Sequence, residues 1–230
     1  MTFGFNDGAD VKIINYLPTG DLSKGGELKP DGISFKIDYQ GSVVPITIKN
    51  TFGRAQTYSA AIAACVGLIY NMNLVEISES LSLNYKPVKG RMNLLKGIKD
   101  TLIIDDSYNA APLSMQAALE TFRDLPAERK IAVLGDMLEL GKYSIEAHES
   151  IGKLTGGIVD ILLTIGPRGK FIAEGAEKSG MPKNHILTFD TAKEAAKELQ
   201  ELTRKGDLVL IKASRAIGLD KVVEEIALIV

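Results

Sequence analysis

From residue 100 onward, short apolar runs alternate with amphipathic stretches, and this alternation restricts the fold more than any other property of the chain. Runs at 102–104, 131–134, 161–165, 186–187 and 208–211 predict strands, and the stretches 114–122, 145–154, 170–179, 191–202 and 219–228 predict helices. Unbroken apolar runs mark strands covered on both faces. Strand–helix alternation then implies a parallel sheet joined by right-handed crossovers. Thr191 with Glu194 forms a capping box that starts one of these helices. The expected fold class is α/β: residues 87–230 form a Rossmann-like parallel sheet with flanking helices. No Gly-x-Gly-x-x-Gly occurs, so nothing points to a dinucleotide.

Residues 1–86 read differently. Ile33, Phe35, Ile37 and Tyr39 alternate with polar neighbours, Gln40-Gly41-Ser42 is a turn, and 43–48 is a return strand. Pro45 places that return strand at an edge or a bulge, because proline gives no amide to a ladder. The segment 21–32, with three glycines and a proline, reads as a loop. Helices are expected over 55–70 and 75–83, and the breaker-rich stretch 84–90 reads as a domain boundary.

A parallel sheet brings all its strand carboxyl ends to one rim, where ligands bind in open α/β folds. Here that rim gathers Asp105, Asp106, Ser107, Tyr108 and Asn109 after the first run, and Gly135, Asp136 and Glu139 after the second. Gly166 and Pro167 follow the third run, and Lys212, Ser214 and Arg215 the last. Taken alone, the stretch 105–112 is equally a solvated turn. Convergence from distant positions favours a site. Arg91 reads as a solvated charge or as a phosphate clamp. Lys212 and Arg215 either bind an anion or pair with Asp136 or Glu139. His148, inside an amphipathic helix, reads as a structural hydrogen-bonder.

Composition removes several classes. The net charge of -2 and the absence of a Lys/Arg run give no nucleic-acid face. The single cysteine, Cys65, sits among alanines as a core thiol, and the two histidines lack the neighbours of a zinc site. The longest apolar run, 60–70, is too short to span a bilayer, and no basic-then-apolar leader opens the sequence. A cytoplasmic, monomeric protein without membrane insertion is expected.

Several segments together resemble the Mur ligases, the ATP-dependent amide-forming enzymes of peptidoglycan precursor synthesis. They are Gly90-Arg91-Met92, Asp105-Asp106-Ser107-Tyr108-Asn109-Ala110-Ala111-Pro112, Gly135-Asp136-Met137-Leu138-Glu139-Leu140-Gly141, His148-x-x-x-Gly152 and 206–215. The resemblance implies ATP and Mg²⁺ as cofactors. Asp-Ser-Tyr-Asn-Ala with Gly-Asp-Met-x-Glu-Leu-Gly further implies UDP-N-acetylmuramoyl-tripeptide and D-alanyl-D-alanine as substrates. By resemblance Arg91 contacts ATP phosphates and acts in catalysis, and Asp106 accepts hydrogen bonds from the ribose or adenine side. Tyr108 and Asn109 join them at the nucleotide. Ser107, Asn109, Asp136, Glu139, Lys212, Ser214 and Arg215 line the place where the dipeptide enters.

Residues 1–86 resemble the later part of the family's central ATP-binding domain. Gln56 and Ser59 stand where the family has asparagines that help hold ATP, and Ala55 stands where it has a histidine. No Gly-x-x-x-x-Gly-Lys-Ser/Thr is found, and 166–171 has the wrong spacing for one. The resemblance therefore implies that the phosphate cradle and most Mg²⁺ ligands lie in a missing N-terminal half, the chain being a fragment or one part of a split enzyme. Two alternatives stand beside this: a non-catalytic binding module derived from a Mur ligase, and a ligase like folylpolyglutamate synthase.

Overall fold

The computed structural model describes residues 1–22 and 28–228, and resolves them into two compact units, Met1–Pro87 and Val88–Val230. In the first unit, β1 (Phe3–Gly4), β2 (Val11–Leu22), β3 (Leu28–Tyr39) and β4 (Ser42–Lys49) form a sheet in that order. β1 runs parallel to β2, and the other pairs are antiparallel. Gln40 (φ 53°) and Gly41 (φ 81°) join β3 to β4 with both central residues at positive φ, the backbone twist a two-residue hairpin requires. β4 is an edge strand, as Pro45 demands. The expected loop over 21–32 is corrected: β2 runs to Leu22 and β3 starts at Leu28, while 23–27 lie outside the described residues. Two helices, α1 (Arg54–Ile69) and α2 (Leu74–Asn84), pack on this sheet. α1 brings Ala60, Ala61 and Ala64 to its buried face, small side chains that let it lie close.

Among its described residues the second unit holds a six-stranded sheet and five α-helices. Its strands are β5 (Asn93–Gly97), β6 (Thr101–Asp105), β7 (Arg129–Gly135), β8 (Ile161–Ile165), β9 (Ile186–Phe189) and β10 (Asp207–Lys212). They are ordered β5-β6-β10-β7-β8-β9. All neighbours are parallel except β5, an antiparallel edge strand that the alternation did not predict. The helices are α3 (Pro112–Asp124), α4 (Ser144–Thr155), α5 (Gly169–Lys178), α6 (Ala192–Leu202) and α7 (Asp220–Ile226).

Chain direction decides which face each helix covers. From β6 the chain steps through β7 and β8 to β9 in one direction across the sheet, then returns to place β10 between β6 and β7. Right-handed crossovers put helices of opposite step on opposite faces. Accordingly Ala195, Ala196 and Leu199 of α6 and Val222, Val223 and Ile226 of α7 bury one face with Ile103, Val133, Leu163 and Val209. α3, α4 and α5 pack side by side elsewhere, α4 against both others, and bury Met115, Leu119, Phe122, Ile151 and Ile172. α4 and α5 approach closely through Gly152 and Gly175, where an added Cβ would meet backbone.

Candidate functional site

β10 sends its following loop to the opposite face from its neighbours β6 and β7, the kind of switch in strand order at which open α/β sheets bind ligands. The sequence places its polar residues at this point. Register sets Ile211 beside Asp105, and Lys212 beside Leu134.

The two carboxylates after β6 are both buried and both engaged. Asp105 Oδ1 accepts from the Ser107 amide (3.1 Å) and hydroxyl (2.6 Å), closing a tight turn, while Oδ2 accepts from the Gly90 amide at 3.1 Å. Asp106 Oδ1 accepts from the Met92 amide at 3.1 Å, and Oδ2 pairs with Lys212 Nζ at 2.6 Å. Burial pushes the Asp106 carboxyl above the usual carboxylate range, against the pull of Lys212. Lys212, 2% exposed, also donates to the Asn109 carbonyl at 2.8 Å. Its partner is thus Asp106 and not Asp136 or Glu139. The Asp105–Asp106 pair therefore holds Gly90-Arg91-Met92 in place by two amides, with the Tyr108 amide donating back to the Gly90 carbonyl at 3.1 Å. Gly90 has φ +75°, and a Cβ there would press on Tyr108 at 3.1 Å.

The loops after β7 and β8 lock in the same way. Asp136 Oδ1 accepts from the amides of Arg168 (2.9 Å) and Gly169 (2.8 Å) at the start of α5, and Oδ2 lies 3.8 Å from the Arg168 guanidinium. The residues 166–171 thus spend two amides on an internal carboxylate. Ser214 accepts from the Leu138 amide at 2.9 Å and donates to the Ala110 carbonyl at 3.3 Å, tying together the loops after β6, β7 and β10. His148, fully buried, accepts at Nε2 from the Met137 amide (2.8 Å) and donates from Nδ1 to the Ser144 carbonyl (2.6 Å). That arrangement fixes one neutral tautomer, and burial holds its pKa below the usual value.

Above this frame stand the groups that meet solvent: Arg91, Tyr108, Asn109, Glu139 and Arg215. The Tyr108 ring, 44% exposed, lies 4.5 Å from the Arg91 guanidinium carbon and 5.6 Å from that of Arg215. Arg215 also lies 3.8 Å from Asp220. Two cations beside one aromatic ring suit an anionic ligand, since guanidinium forks match phosphate oxygens. Sequence reasoning brought Arg91 and Arg215 forward separately. Their common contact with Tyr108 carried no sequence signal.

Gln56 and Ser59 lie in the first unit, near the start of α1. Gln56 is half-buried and accepts from the Tyr85 hydroxyl at 2.7 Å, and Ser59 is exposed. Among the described residues no group of three or more His, Cys, Asp or Glu is arranged to hold a metal ion, so no residue is assigned to Mg²⁺. No helix among the described residues is long and apolar enough to cross a membrane.

A family model described as "Mur ligase, glutamate ligase domain" matches residues 90–215. The UDP-N-acetylmuramoyl-tripeptide–D-alanyl-D-alanine ligase of Bacillus subtilis is 34% identical over 186 residues, covering 78% of this chain and 40% of that protein. Its namesake from Synechocystis is 31% identical over 224 residues, 94% of this chain and 45% of that protein. The crystal structure of a MurF ligase from Thermotoga maritima in complex with ADP superposes with a TM-score of 0.76 at 27% identity, covering 97% of this chain and 47% of that one. A folylpolyglutamate synthase from the same organism shares the fold, with a TM-score of 0.60 at 13% identity. The chain spans less than half the length of each of these proteins.

Proposed function

The chain belongs to the Mur ligase family, and from that premise we propose that it is the C-terminal portion of an ATP-dependent ligase joining D-alanyl-D-alanine to UDP-N-acetylmuramoyl-tripeptide. The observation that carries this reading is the exposed Arg91–Tyr108–Arg215 group, standing at the strand-end rim inside the matched residues. In such a reaction ATP phosphorylates the tripeptide's carboxylate, and the dipeptide's amine then displaces phosphate from the acyl phosphate. Negative charge develops on the transferring oxygens, so fixed cations nearby lower the barrier.

Arg91 supplies one of those cations and contacts the nucleotide phosphates. Asp106 accepts hydrogen bonds from the ribose or adenine side through the edge its partners leave open, and Tyr108 and Asn109 flank the same ligand. Glu139 and the Ser214–Arg215 loop border the entry of the dipeptide. Ser107 and Asp136 shape that border from below. Residues 1–86 are the later part of a central ATP-binding domain, with Gln56 and Ser59 among its ATP contacts. Mg²⁺, when bound, would screen the phosphate charge, and most of its ligands belong to other parts of the enzyme.

The chain alone is inactive on this reading, because its 230 residues contain no Gly-x-x-x-x-Gly-Lys-Ser/Thr to cradle the phosphates. Purified chain supplied with ATP, UDP-N-acetylmuramoyl-tripeptide and D-alanyl-D-alanine is expected to release no ADP. ADP release at a ligase-like rate, absent from an Arg91→Ala control, refutes inactivity. A second reading, a binding module that lost the chemistry, is favoured by Ala55 standing where the family has histidine. Activity restored by adding the upstream half of a relative eliminates it.

A further inference from the structure

The strand-end lysine of β10 has a feature the proposed chemistry does not use: its charge faces inward. Lys212 is among the most buried polar residues of the chain, yet it stands beneath a rim whose other cations, Arg91 and Arg215, are exposed. Its ammonium reaches two groups that both follow β6, the Asp106 carboxylate at 2.6 Å and the Asn109 carbonyl at 2.8 Å. Asp106 in turn holds the Met92 amide, one residue beyond Arg91. The Asn109 carbonyl lies one residue beyond Tyr108, whose ring meets both guanidiniums. A single buried charge thus joins the central strand to both segments that carry the exposed cluster.

We infer that Lys212 is a positioning residue, whose buried ammonium ties Asp106 to the Asn109 carbonyl and so fixes Arg91 and Tyr108 for the ligand. The inference rests on the reading of that cluster as a nucleotide-binding rim. Lys212 does not itself reach the ligand. To do so it would abandon a buried carboxylate, and an uncompensated buried charge is among the most costly changes a fold can suffer. A neutral side chain of the same length leaves Asp106 with one amide and the Asn109 carbonyl without its donor. The loosened turn then lets Tyr108 swing from Arg91.

The test uses the full 230-residue chain in a Cys65→Ala background, comparing Lys212→Met with Lys212→Cys alkylated while unfolded by 2-bromoethylamine and refolded. Alkylation restores the ammonium with sulfur in place of one methylene. Three readouts are taken: hydrogen exchange of the Met92 amide, the ring-current shifts of the Arg91 and Arg215 side-chain resonances, and ADP titration. In Lys212→Met the Met92 amide is expected to exchange at least tenfold faster, the ring shifts to collapse and ADP to bind at least tenfold more weakly. The aminoethyl derivative regains all three. If Lys212→Met loses its cooperative unfolding transition, Lys212→Gln carries the same comparison. Weaker ADP binding with unchanged exchange and ring shifts overturns the inference, because the lysine would then act on the ligand directly. Failure of the ammonium to restore the rim in a folded protein overturns it too. If the rim responds as stated while the unsubstituted chain binds no ADP even with the upstream half of a relative added, positioning stands and the nucleotide reading falls.

Discussion

Replacing Gly152 by alanine tests how tightly the second unit is built. Its added Cβ would stand 2.0 Å from the Ile172 carbonyl oxygen and 2.9 Å from the Ala176 amide nitrogen, whereas ordinary contact starts at 3.4 Å. Both groups are helix backbone, so no side chain can turn aside, and α4 and α5 must separate by more than an ångström. Two terms oppose each other. Alanine favours the helix by about 1 kcal/mol over glycine, while overpacking of this kind costs roughly 1–3 kcal/mol and more where backbone is struck. Contact at 2.0 Å lies at the severe end, so the net loss is about 2 kcal/mol, or roughly 4–8 °C in Tm for a unit of this size. Gly175 makes the reciprocal contact, its Cβ 2.2 Å from the Glu149 carbonyl oxygen. Once one alanine has parted the helices, the second should cost less, so urea denaturation of both single variants and the double should give a double loss well below the sum. A Gly152→Ala protein as stable as its parent refutes the close crossing. Strict additivity refutes the shared separation.

Other measurements address the frame and the rim. His148 is held neutral by burial with its pKa below the unfolded value, so the folded state binds fewer protons in acid. Its contribution is intact above about pH 6.5 and lost as pH falls below it, and the urea midpoint should drop from pH 7 to 5 more steeply than in His148→Gln. Equal slopes would reject this. Lys99 donates to the carbonyls of Gln200, Glu201 and Thr203 at the end of α6, so Lys99→Met should cost about 1 kcal/mol in the same assay. No loss would show those contacts to be idle. Gly90→Ala, forced to φ +75° and against Tyr108, should destabilise by about 1–2 kcal/mol and shift the Tyr108 resonances. An unmoved ring would refute the contact. Arg215→Ala, at an exposed position, should leave Tm within about 2 °C of the parent while weakening ADP binding, and unchanged binding would remove Arg215 from the rim.

The strands β6 to β10 and the five described helices of the second unit were legible because their apolar runs alternate regularly with amphipathic stretches. β5 was not. Asn93-Leu94-Leu95-Lys96-Gly97 is short and half-buried, and only its pairing with β6 makes it a strand. In the first unit, Asp21 and the glycines after it read as a loop because local composition outweighed the pairing that extends β2 and β3. At the site, the gathering of polar groups followed from the shared direction of parallel strands, but the division of labour among them did not. Asp105 and Asp106 look equivalent in sequence. One closes a turn on Ser107 and the other pairs with Lys212, a difference made by strand register and by the return of β10. Likewise Asp136 looks like a ligand group until α5 is seen to present its first amides to it.

The strand order has a consequence for how the chain acquires its structure. β10 is the last in chain order of the ten strands among the described residues, yet it occupies the middle of its sheet, between β6 and β7. Until residues 207–212 leave the ribosome, those two strands lack their shared neighbour and keep facing edges with unpaired amides and carbonyls, the surfaces that recruit wrong partners. Closing the sheet then joins Leu208 to Leu102 across more than a hundred residues, a slow kind of contact to form. The second unit therefore keeps those edges open until one short segment completes its sheet and its rim together.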